Sequence, residues 1–187
     1  MMLNVFALIG TTCFYFIYLV KGWLLRKQGI TVNLLGDKHR SREKYFEIVL
    51  RALTGFGGAI QFVAPFLFER NSTSWGYLGV FLIYLGVLLF LIAVKAMGLN
   101  WRAGFNEEQK TNLVTTGIYQ LSRNPAFVAF DLLYIGFAFV FPNFLMILTA
   151  LTAVLLFDLQ IRGEEKFLLK TFGERYRQYQ TTVRRYF

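Results

Sequence analysis

The chain has 187 residues, 56% of them hydrophobic and 17% charged, with a formal net charge of +9. It is more apolar than the roughly 45–50% of soluble domains, and its charges cluster, which excludes an ordinary soluble protein and implies one membrane domain over 1–187. The basic residues fill loops beside apolar runs, a positive-inside pattern suited to anionic lipid and not the footprint of nucleic-acid binding.

Residues 2–20 form the first predicted span. No positive charge precedes it and no small-residue cleavage site follows, so it reads as a permanent span. Cys13, the single cysteine, cannot form an intramolecular disulfide and reads as a small lipid-facing or packed side chain. His39, the single histidine, lies in the basic loop that follows. One Cys and one His exclude a Cys/His zinc cluster, and a Ser-His or Cys-His nucleophile would need that loop to reach the site. No metal site is expected.

Residues 48–68 form the second span, with Arg51 near one end and Pro65 near the other. Gly55, Gly57 and Gly58 within it imitate a phosphate loop, but no strand precedes them, so they read as close helix packing. No Gly-x-Gly-x-x-Gly sits at a strand–helix junction, which excludes a soluble dinucleotide-binding domain. Residues 76–99 form the third span, with Lys95 placed to snorkel. Trp101 and Arg102 read as an interfacial anchor. Each span is near the ~20 residues that a bilayer core requires.

The last apolar stretch, 126–159, breaks at Pro142-Asn143. Proline lacks a backbone donor and asparagine tolerates turn geometry, so a tight turn is expected there. Each arm of the hairpin is then about 16 residues, or roughly 24 Å of helix. From about Gln160 the tail reads as a cytosolic amphipathic helix, with Leu168, Phe172, Tyr176 and Tyr179 at helical spacing among basic residues. Gly173 marks a bend or a cap in it.

Of the twenty Lys and Arg, only Arg70 falls in the short 69–75 connection. The rest lie in or beside the 21–51 loop, the 95–125 loop and the tail. Five passes put all three basic segments on one side, with the N-terminus out and the C-terminus in the cytosol. The fold class expected is all-α integral membrane: about five transmembrane helices, the last two a hairpin turned at Pro142.

That hairpin brings two polar blocks to one water-facing surface. The first runs from Leu113 through Gly117 and Tyr119 to Ser122-Arg123-Asn124-Pro125; the second holds Arg162-Gly163-Glu164-Glu165 and then Phe172 to Tyr179. Pro125 at the first helical position and Asn124 as N-cap start a helix whose electropositive end suits a carboxylate or phosphate. The plain alternative is capping, with Arg123 on lipid phosphate. Of Glu164 and Glu165, one must point towards the first block, where it could accept hydrogen bonds from a ribose or hold a cation. Asp131, about two turns inside the bilayer, is the better functional acid. Asp158 lies nearer the interface and reads as solvated.

Leu-Val-x-x-Gly-x-Tyr, Arg-Asn-Pro, a hairpin, Glu-Glu, Phe-Gly-x-x-Tyr-x-x-Tyr and Val183-x-Arg185 together resemble the isoprenylcysteine carboxyl methyltransferase family, especially its bacterial members and the related phospholipid methyltransferases. The resemblance covers roughly 95–187, the methyltransferase-like core, and leaves 1–94 as N-terminal spans. It implies a membrane methyltransferase that uses S-adenosyl-L-methionine on a lipophilic or prenylated acceptor at the cytosolic face, in a setting such as a bacterial inner membrane. Carried over, the cofactor-binding residues are Thr111, Asn112, Leu113, Val114, Tyr119, Asn124, Pro125, Ala126, Phe127 and Glu164. Asn124 stands where many members have histidine, and Phe127 where tyrosine is common. The family's substrate-linked arginine, one turn before the glutamate, is here Gln160, with Arg162 the nearest substitute. An amine acceptor would need a base, for which Asp131 or Glu164 is placed; a carboxylate would not. The rivals are an ethanolamine-headgroup N-methyltransferase, an NADPH-dependent sterol-type reductase, and a membrane protein without activity.

Overall fold

The structure, a computed structural model, describes residues 2–30, 41–101 and 112–187. Its helices are α1 (Met2–Lys27), α2 (Ser41–Leu67), α3 (Ser74–Met97), α4 (Pro125–Val140), α5 (Phe144–Phe172) and α6 (Glu174–Thr182). By length and composition α1, α2, α3 and α5 can cross a membrane, and α4 is a shorter apolar helix of 16 residues. This is the all-α integral membrane architecture that the hydropathy implied.

The helices alternate in direction. At one end Asn4 Nδ2 donates to the Pro65 carbonyl at 2.6 Å, and Asn71 N–H donates to the Val140 carbonyl at 2.7 Å. The start of α1, the end of α2, the 68–73 connection and the end of α4 therefore meet. The Asn4 bond is needed because α2 stops at Leu67, which leaves the Pro65 carbonyl without an intrahelical donor. At the opposite end Tyr18 and Phe90 close on Trp101, with ring centroids 5.3 and 6.5 Å away. Arg26 and Lys27 in the last turn of α1, and Lys95 in the last turn of α3, lie towards this end.

Alpha3 and α4 make the most extensive helix pairing, and glycines explain it. A Cβ on Gly79 would sit 2.6 Å from the Gly136 carbonyl oxygen, and one on Gly136 would sit 2.7 Å from the Gly79 carbonyl oxygen. The two backbones touch, as small residues allow between membrane helices. Gly136→Val is expected to destabilise the bundle by about 1–3 kcal/mol through overpacking. Gly55→Ala, where an added Cβ meets nothing within 4 Å, is expected to leave thermal unfolding in detergent unchanged. Equal melting temperatures for the two variants would contradict this account of the crossing. The close-packing expectation thus holds for Gly57 and Gly58, whose added Cβ would strike Tyr134 and Tyr15, and fails for Gly55.

Two further expectations are corrected. Trp101 is only 5% exposed and belongs to the main core; it is a core residue because Tyr18 and Phe90 reach it from α1 and α3. Alpha5 does not stop near Leu159. It runs 29 residues to Phe172, about 44 Å, so its last third projects beyond a ~30 Å core. Helix formers continue across the polar boundary at Gln160, and the break comes at Gly173, whose φ of +54° ends the helix. The expected tail helix is therefore divided, with Leu168 and Phe172 on α5 and Tyr176 and Tyr179 on α6. Cys13 is exposed, on the outer face as expected. The Pro142 turn is as predicted, with Asn143 capping α5 by accepting the Met146 N–H at 3.1 Å.

Candidate functional site at the mouth of the hairpin

The first polar block enters through Gly117, whose φ of +63° only glycine adopts freely, into a 3-10 turn over Gly117–Gln120. The turn buries Tyr119, which is 4% exposed. Its carbonyl accepts the Tyr179 hydroxyl at 2.5 Å, which ties the block to α6. Burial raises the Tyr119 hydroxyl pKa, and the neighbouring Tyr179 and Glu164 raise it further. Burial likewise pushes Tyr179 up to about 12, so both phenols stay protonated and Tyr179 keeps its donor role.

Asn124 occupies the N-cap position of α4 and Pro125 follows it, but the Asn124 side chain makes no capping bond. Its amide instead donates to the Arg185 carbonyl at 3.2 Å. The capping expectation is corrected here because the C-terminal tail claims the side chain. Ser122 Oγ donates to the same carbonyl and accepts the Asn124 N–H. The start of α4 is thus without a side-chain cap.

Arg123 is likewise not a lipid anchor; its side chain is 10% exposed. Its Nε and Nη2 donate to Glu165 Oε1 at 3.1 and 2.7 Å. Its Nη1 donates to the carbonyls of Gln180 and Val183, at 3.2 and 2.5 Å. Arg185 takes the other oxygen of Glu165, through Nε at 3.1 Å and Nη2 at 2.6 Å, and this contact raises the Arg185 pKa. One carboxylate thus bridges two guanidiniums that come from opposite ends of the core.

The second block splits around α5. Glu164 is half-buried and accepts Gln160 Nε2 at 3.0 Å. Asp158, expected to be merely solvated, accepts Arg162 Nε at 2.7 Å and the Tyr186 hydroxyl at 2.6 Å. Arg162 is exposed, and its Nε is spent on Asp158; the position one turn before Glu164 belongs to buried Gln160. Asp131 lies in α4 with Oδ1 buried and without a hydrogen-bond partner.

Tyr119, Asn124 and Glu164 therefore converge on one end of the hairpin, linked through Tyr179, Arg185 and Glu165. Pro125 is buried, and Ala126 and Phe127 are half-buried, with the Phe127 ring 5.7 Å from that of Phe157. Leu113 and Val114 are half-buried; Asn112 is exposed and donates its N–H to Asn100 Oδ1 at 2.9 Å. Thr111, Arg102 and His39 lie outside the described residues. Among the described residues no group of three or more His, Cys, Asp and Glu could hold a metal ion. Sequence reading gave no role to the Arg123–Glu165–Arg185 bridge, although its three members lie in the motifs Arg-Asn-Pro, Glu-Glu and Val-x-Arg.

A family model, phospholipid methyltransferase, matches residues 75–175. The chain belongs to the phospholipid methyltransferase family. Among curated proteins it is similar to the probable protein-S-isoprenylcysteine O-methyltransferases of Oryza sativa subsp. indica and Oryza sativa subsp. japonica. Each is 30% identical over 125 residues, covering 63% of this chain and 64% of the relative. The chain thus spans just under two thirds of these relatives. No solved structure matches it significantly. The family match contains Tyr119, Arg123, Asn124 and both glutamates; Tyr179 and Arg185 lie beyond it.

Proposed function

We propose that this phospholipid methyltransferase family member is an S-adenosyl-L-methionine-dependent membrane methyltransferase that modifies a lipophilic acceptor at the cytosolic face. The observation that carries the reading is the convergence of Tyr119, Asn124 and Glu164 at the mouth of the hairpin, within a chain of this family. The residues present fit the cofactor's chemistry. Glu164 offers carboxylate oxygens to ribose hydroxyls. The uncapped start of α4 offers the N–H groups of Ala126 and Phe127, at a positive dipole end, to a carboxylate. Phe127, half-buried, supplies aromatic surface, and the 112–114 backbone precedes the turn.

S-adenosylmethionine, when bound, supplies a methyl group already activated for in-line displacement. The protein's part is then alignment and exclusion of water. Asn124 and Glu164 hold the donor side. Arg162, exposed at the hairpin mouth beside Asp158, is the cation placed for an anionic acceptor. A carboxylate acceptor, as in the name of the rice relatives, needs no base at neutral pH. An amine acceptor, as in an ethanolamine headgroup, must lose a proton, and Asp131 or Glu164 would take it.

Calorimetry of the detergent-purified chain tests the reading. S-adenosylhomocysteine is expected to bind and NADPH not to; the reverse result would replace the methyltransferase with a reductase. Transfer of label from methyl-labelled S-adenosylmethionine into a lipid extract, or into a prenylcysteine compound, then separates the two acceptors.

A further inference from the structure

We propose that Glu165 is a positioning residue: through Arg123 and Arg185 it straps the C-terminal tail across the start of α4, and the strap forms one wall of the cofactor site. The inference rests on the methyltransferase reading for the identity of that site, but the strap itself rests on geometry.

Residues 183–185 cross directly over the junction between the 3-10 turn and α4. Arg123 N–H donates to the Arg184 carbonyl at 3.0 Å, and Ser122 and Asn124 both donate to the Arg185 carbonyl. These contacts join neutral groups, and each contributes only about 0.5–1.5 kcal/mol. The charged bridge is of another kind. Glu165 is 7% exposed in its side chain and accepts four charge-assisted hydrogen bonds, two from each arginine. Such bonds are roughly twice as strong as neutral ones.

Arg123 is also largely committed, with four of its five N–H donors in use. It directs Nε and Nη2 to Glu165 and Nη1 to two tail carbonyls, so its charge is committed to holding the tail and not to a ligand. Glu165 therefore acts one step away from the chemistry. Its neighbour Glu164 lies one residue back around α5, bonded to Gln160 and close to Tyr119. The two adjacent acids divide the work, Glu165 fixing the wall and Glu164 facing the site.

The strap also explains why Asn124 does not cap α4. With the tail docked, the Asn124 amide is drawn to Arg185 and the first N–H groups of α4 stay available. With the tail released, Asn124 is free to fold back and cap its own helix, which would close that position to an anion.

Three variants test this in detergent-solubilised full-length protein: Glu165→Gln, Arg185→Gln and Arg185→Lys. The first readout, hydrogen exchange of the 176–187 peptide without cofactor, reports the strap alone. The second, calorimetric affinity for S-adenosylhomocysteine, reports the site. Glu165→Gln and Arg185→Gln are expected to speed tail exchange at least tenfold and to weaken binding at least tenfold. Arg185→Lys, which keeps the charge, is expected to restore most of both. Should Glu165→Gln fail to fold, Arg185→Gln, which leaves the buried Arg123–Glu165 pair intact, carries the test. A loosened tail with wild-type affinity overturns the proposal and leaves the methyltransferase reading standing, as does a tail that never loosens. A wild-type protein with a docked tail and no affinity for S-adenosylhomocysteine overturns the functional reading itself.

Discussion

Arg123→Ala is expected to destabilise the protein by about 3–5 kcal/mol, the cost of removing one partner from a buried ion pair. The side chains of Arg123 and Glu165 are 10% and 7% exposed, so water cannot replace what is lost. Arg185, whose side chain is 32% exposed, would compensate only half of the Glu165 carboxylate. The Gln180 and Val183 carbonyls would lose their donor as well. Arg123→Lys is expected to recover little, because an ammonium cannot span a carboxylate and two carbonyls as the guanidinium fork does. Unfolding titrations in mixed detergent measure the effect. In a cycle with Glu165→Ala, the double variant is expected to lose clearly less than the sum of the singles. A loss below about 1 kcal/mol, the value of a solvent-exposed pair, would show that this bridge is hydrated and holds nothing in place.

The elements that sequence made legible are those governed by local chemistry. Pro125 starts α4 because its fixed φ suits the first turn of a helix, and Pro142-Asn143 turns the chain because neither residue continues one. The five apolar runs follow from span length, and their alternation follows from where the arginines and lysines fall. What escaped the sequence depends on partners far along the chain. Hydropathy marks where α5 leaves the apolar region at Gln160, but it says nothing about where the helix ends, and the end waits for Gly173. Trp101 has the composition of an interfacial anchor, and only Tyr18 and Phe90 make it core.

The acids show the same limit more sharply. Glu164 and Glu165 are indistinguishable as residue types, and a helix turns them about 100° apart. Which of them meets two guanidiniums is decided by Arg123, 42 positions earlier, and by Arg185, 20 positions later. The motif flagged both; the fold gave them different partners. The same holds for Asn124, a good N-cap by type whose amide is taken by the tail. Reading Arg123 as a lipid contact and Asp158 as solvated failed for one reason: the tail folds back over the site and supplies Arg185 and Tyr186, and no local spacing announces that return.

Glu164→Ala is expected to weaken S-adenosylhomocysteine binding at least 100-fold, equivalent to about 2.7 kcal/mol. A carboxylate that accepts from ligand hydroxyls contributes about 1.5–3 kcal/mol per charged hydrogen bond, so losing a bidentate contact reaches that range. The fold is expected to survive, because Glu164 is half-buried and stands outside the Glu165 bridge. Glu164→Gln, which keeps one acceptor oxygen, is expected to fall between the variant and wild type. Calorimetry on protein that retains its helical circular dichroism and a docked tail separates ligand loss from misfolding. Undiminished binding by Glu164→Ala would remove this carboxylate from the site, and the cofactor would then have to be sought on the Asp131 and Asp158 side of the hairpin.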